Sequence, residues 1–144
     1  MKSNPRNVAE RMGSEDYLIE HAYLVERGVR ALAIVAHIIG DSEDFFQVES
    51  RLRIVACTHG NVIPFVVVRG DGVADCGFAA AKWAVDLYEW LMQNPDVPDA
   101  HSEAITGLLL GYSPAAIRDH LDRNSGGRFV RKGKALGRAY RGTK

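Results

Sequence analysis

Cysteine is almost missing from this chain: there are two in 144 residues, Cys57 and Cys76. Two thiols build no disulfide framework, so they read as reduced thiols of a cytoplasmic protein, a single bridge being the other arrangement. Long apolar runs are missing too. The longest, Ala31–Ala36, falls far short of the roughly 20 residues a membrane helix needs, and no membrane partner is expected. The opening MKSNPRNVAERMG has no apolar core of the kind a signal peptide carries. Finally, acid is missing from one end: no Asp or Glu follows Asp122.

That last absence exposes a split that the formal net charge of zero conceals. The final 22 residues carry Arg123, Arg128, Arg131, Lys132, Lys134, Arg138, Arg141 and Lys144, a charge of +8, and residues 1–122 carry −8. A basic arm on an acidic body points to a polyanion as partner. With 47% apolar and 25% charged residues, the composition is that of a globular domain. The length suits one core and is too small for two comfortable ones.

Along the chain, Ser14 followed by Glu15 and Asp16 marks a helix start, with acid at the positive end of the dipole. Leu18, Ala22 and Val25 follow at helical spacing, and Gly28 is placed to end the helix. The segment 29–39 fits a continued helix or a buried strand, and the β-branched residues between Gly28 and Gly40 favour the strand. In FFQVESRLRIVACT, Leu52, Ile54 and Ala56 alternate with Arg51, Arg53 and Val55. With the HGN turn and VIPFVVVR, this predicts a β-hairpin over about 46–69, with Pro64 at an edge or bulge. GDGVADCG is expected to be a loop, in which Asp75 caps an alanine-rich helix running through FAAAKWAVDLYEWLMQ.

A proline-punctuated linker, NPDVPD, precedes a helix from about 100 with Ile105, Leu108, Leu109 and Tyr112 on one stripe. Ser113 and Pro114 then start a second helix anchored by Ile117 and Leu121. The pair, about 100–123, has the form of a helix-turn-helix, but Asp119 and Asp122 on its second helix would repel phosphates. The segment GLLLGYSPAAIRDHL resembles one found in small uncharacterised accessory proteins of phages and mobile elements. The resemblance covers about 15 residues of the chain. It implies a factor acting on a nucleic-acid machine, for example an inhibitor of a defence system such as a CRISPR complex.

Cys76, at the expected start of a helix, would be an activated thiol there. Its DCGF context faintly resembles the DCSGF that opens the catalytic helix of NlpC/P60-type cysteine peptidases, without the serine. A buried small hydrophobe is the structural alternative. Cys57 and His59, alternating on a strand, would face the same way and could form a zinc site with Cys76 and a further His, but no close C-x-x-C or H-x-x-x-H pair supports it. GDGVADCG puts Asp75 where a dinucleotide-binding loop needs glycine. The element order also matches that of double-stranded-RNA-binding domains, without their basic cluster. His21, His37 and His120 carry no assignable role.

The expected fold is therefore α+β: a small antiparallel sheet of two or three strands packed by helices, a C-terminal helical hairpin and a basic tail. Residues 1–124 form a single domain and 125–144 the arm. The expected function is that of a non-enzymatic accessory or inhibitory binding protein for a nucleic acid or nucleoprotein complex, without a cofactor or metal. Arg123, Arg128, Arg131, Lys132, Lys134, Arg138 and Arg141 would meet phosphates while Phe129 and Tyr140 stack. The alternatives are an oligomerisation module, whose tail docks on an acidic body, and a Cys76-dependent hydrolase or transferase.

Overall fold

In a computed structural model, residues 12–123 are described. They form α1 (Glu15–Glu26), β1 (Leu32–Ile39), α2 (Ser42–Ala56), β2 (Ile63–Val68), β3 (Val73–Ala79), α3 (Lys82–Gln93), α4 (Asp99–Leu109) and α5 (114–123). The architecture is α+β, with a small antiparallel sheet packed by helices. None of the described helices is long and apolar enough to cross a membrane.

The chain divides into two compact units. In the first, which runs to Pro95 and takes in Leu109–Gly111, the strand order is β1-β3-β2. β3 is antiparallel to both neighbours, so β1 and β2 run parallel with β3 inserted between them. Ser14 accepts a hydrogen bond from Tyr17 N (3.1 Å) to cap α1, and Gly28 ends it with φ +80. Leu18, Ala22 and Val25 of α1 and Val48, Leu52, Val55 and Ala56 of α2 are buried in one cluster with Ala74, Cys76 and Phe78 of β3. Side chains alternate across a strand, so Asp75 lies on the opposite face. There α3 packs through Ala84, Tyr88 and Leu91, the Tyr88 ring edge-on to Phe65 of β2 with centroids 6.4 Å apart.

The 29–39 segment forms a strand, β1, and Pro64 lies on an edge strand, as its missing N–H requires. The expected hairpin over 46–69 does not form. Its first half is α2, closed at the N-terminus by a reciprocal capping box: Asp44 N donates to Asp41 Oδ1 (3.0 Å) and Asp41 N to Asp44 Oδ2 (2.9 Å). Val48, Leu52 and Val55 recur at helical spacing and reach the core, whereas Ile54, which completed the two-residue alternation, is 69% exposed. The true partner of β2 is β3, the segment expected to be a loop. α3 starts only at Lys82, from an Ala81 that makes no side-chain cap. Asp75 is thus not a helix cap but a residue of the central strand.

A bulge in β1 decides what faces Asp75. Ile34 pairs with Gly77, but Ala36, not Val35, pairs with Cys76, and His37 with Asp75. An unbroken ladder would set Ala36 against Asp75 and turn His37 to the other face. Gly77 makes the close approach possible, since a Cβ there would lie 1.8 Å from the Ala33 carbonyl oxygen.

The second unit holds 96–108 and 112–123 of the described residues. Ser113 caps α5 through Oγ, which accepts from Ala116 N (3.1 Å), with Pro114 at the first helical position. A Cβ on Gly107 would meet Ile117 Cγ1 at 2.9 Å, so glycine lets the two helices come together there.

Candidate functional site

A carboxylate in the middle of a three-stranded sheet requires partners, because burying an unpaired charge costs several kcal/mol. Asp75 is fully buried. Its Oδ1 lies 2.5 Å from His37 Nδ1 on β1, and its Oδ2 accepts a 2.5 Å hydrogen bond from the Tyr88 hydroxyl on α3. Arg69, just after β2, places Nε 3.7 Å from the same Oδ2. That Nε is buried without a hydrogen bond of its own. Side chains from three separate segments therefore converge on the carboxylate of a fourth.

The members differ in exposure, and this divides their roles. Burial, with the hydrogen bond to Asp75 next, raises the Tyr88 phenol far above its ordinary value, so it remains a donor. Arg69 is one-third exposed and also reaches Asp71 Oδ2 at 3.6 Å. The His37 side chain is 60% exposed. A carboxylate only accepts hydrogen bonds, so the ring nitrogen facing it carries a proton, and in the neutral form of the ring the lone pair falls on Nε2. Beside His37 on the same face of the sheet, Ile39 of β1 is 74% exposed, and Ile34 of β1 and Val73 of β3 are half-buried. The cluster is a buried acid holding an exposed base in one tautomer.

Cys76 points the other way, into the core. Burial, then the adjacent Asp75 charge, pushes its thiol up to about 12, and Sγ lies 3.5 Å from the Ala36 carbonyl oxygen. The helix N-terminus that was to activate it is absent, because the residue sits in mid-strand. Cys57 and His59 are likewise not on a strand. Cys57 caps the C-terminus of α2, and His59 Nδ1 lies 3.0 Å from Glu26 Oε1. Among the described residues no group of three His, Cys, Asp or Glu is placed to hold a metal ion.

Of the residues assigned to polyanion contact, only Arg123 is described. It is exposed on α5, its Nε 3.2 Å from Asp119 Oδ2. His120 lies 3.6 Å from Glu103 Oε1 on α4. Arg128, Phe129, Arg131, Lys132, Lys134, Arg138, Tyr140 and Arg141 lie outside the described residues. Sequence reasoning missed the Asp75 cluster, which joins residues 38 and 13 positions apart. The one available signal was an acid inside an otherwise apolar and small-residue stretch, VADCGFA. Comparison with family models, with curated proteins and with solved structures finds no match for this chain.

Proposed function

We propose that the chain is an accessory or inhibitory binding protein of phage or mobile-element type. It engages a nucleic acid or nucleoprotein complex in the cytoplasm through its basic C-terminal segment. The observation that carries this reading is the charge split: eight cations and no acid after Asp122. Residues 12–123 hold 17 acidic and 8 basic side chains, a field that repels phosphate. Polyanion affinity therefore falls to Arg128, Arg131, Lys132, Lys134, Arg138 and Arg141, with Arg123 next to them in sequence and Phe129 and Tyr140 stacking. The pairing of Arg123 with Asp119 argues against α5 as a recognition helix.

The test is binding of duplex and single-stranded oligonucleotides at two salt concentrations, with the full chain and with a chain ending at Asn124. The full chain binds with log K falling against log salt at a slope of at most about −7 for duplex. Unchanged affinity after truncation overturns the arm as the binding element. The acidity of residues 12–123 favours one second reading, in which the tail docks on the acidic part of another copy. In that case truncation shifts the sedimentation of the protein rather than its affinity for oligonucleotides.

A further inference from the structure

The exposed edge strand β1 carries, at His37, chemistry that binding by the C-terminal segment does not use. The His37 ring is aimed by the bulge between Ile34 and Ala36 and held at Nδ1 by the buried Asp75 carboxylate. Asp75 is fixed in turn from α3 by Tyr88. Nε2, on the far edge of a ring that is 60% exposed, has no hydrogen-bond partner among the described residues. A pair made only to satisfy a buried acid needs no such presentation; a buried serine or asparagine on β1 would serve. The surroundings also select among substrates. Ile34, Ile39 and Val73 give the shelf an apolar rim, and the excess of acid over the described residues disfavours an anionic ligand.

We propose that His37 is a nucleophilic catalytic residue for neutral acyl esters, with Asp75 as its positioning residue. The Nε2 lone pair adds to the acyl carbon, and the bond from that carbon to the leaving oxygen breaks with its electron pair. The acyl-imidazolium so formed keeps its proton on Nδ1, donated in a hydrogen bond to the Asp75 carboxylate, whose charge offsets the new cation. Water then adds to the acyl carbon, one of its protons passes through solvent to the leaving oxygen, and the C–N pair returns to Nε2. The products are a carboxylic acid and an alcohol, and no cofactor enters.

The experiment uses the full chain and p-nitrophenyl acetate near pH 7.5. The rate should fall at least about tenfold in His37→Gln, a change at an exposed side chain that spares the core. Acid-quenched wild-type protein should carry acetyl on the peptide that contains His37. In Asp75→Asn the ring loses its fixed tautomer, which long-range proton–nitrogen NMR of His37 reads directly, and acetylation there slows. A His37→Gln protein that keeps more than half of the rate overturns the proposal. So does acetyl spread evenly over His21, His59, His101 and His120. Neither result bears on the oligonucleotide test, which concerns a different segment.

Discussion

At the scale of single residues, Asp75 sets the terms for its neighbours. Its buried charge is tolerable because the Tyr88 hydroxyl and the His37 ring both donate to it and Arg69 lies close by. Tyr88→Phe removes one of those donors without opening a large cavity and should lower the unfolding free energy by about 1–2 kcal/mol in urea titration. An unchanged midpoint would mean that water replaces the phenol. The same burial silences Cys76. In native protein at pH 8 iodoacetamide should label the exposed Cys57 alone, and Cys76 only after unfolding, because its thiol is pushed up to about 12. The burial of Cys76 was a reading its sequence offered, whereas the Asp75 cluster was not legible in the one-dimensional string. Asp75 beside glycine and cysteine looked like a helix cap, and His37 in an apolar run looked like one histidine among several.

Elements follow from competing periodicities. In α2, Leu52, Ile54 and Ala56 fit a strand, while Val48, Leu52 and Val55 fit a helix. The capping box at Asp41 and Asp44 was the local signal that separates the two. Hydrogen bonding from the Asp44 backbone holds the Asp41 carboxyl below its ordinary 3.8. A depressed value stabilises the fold above the unfolded value, and the contribution disappears as pH falls through the folded one. Asp41→Asn should therefore flatten the acid limb of a thermal-stability profile below about pH 4; an unchanged limb would assign it to other carboxylates. β3 was hidden for a different reason. A central strand covered on both faces shows no alternation of apolar and polar residues, and VADCGFA, whose one large side chain is Phe78, lies buried between two packed layers. Gly77→Ala drives a Cβ into the Ala33 carbonyl and should cost about 3 kcal/mol or prevent folding. Full retention of stability would show that the bulge can open.

Over the whole molecule, charge is segregated rather than balanced, and the predictions at this scale are about salt. Replacing Arg131 and Lys132 with glutamine in the full chain should reduce the magnitude of the salt slope for duplex binding by about 2. An equal slope with weaker affinity would mean that these two residues hold the segment in place and do not meet phosphate. The helix pair around GYSP was read from its Ser113 cap, Pro114 and its stripe of apolar residues, and those cues are local, which is why that part of the reading matches the described helices.

By itself the sequence determined the quantities that need no neighbours: the −8 and +8 segments, the caps at Ser14 and Ser113, the strand character of VIPFVVVR, and the small α+β class, while at 29–39 it favoured a strand over a helix without deciding between them. The tertiary structure alone decided which segment pairs with β2, on which face Asp75 lies, and that a one-residue bulge brings His37 to it. The physical reason is register. Side chains alternate with a period of two, so a slip of one residue moves every later group to the other face. The pairing of β1 with β3 shows where that slip occurs, between Ile34 and Ala36. The charge asymmetry is a property of the string alone, while the His37–Asp75 pair became visible only when the sheet closed.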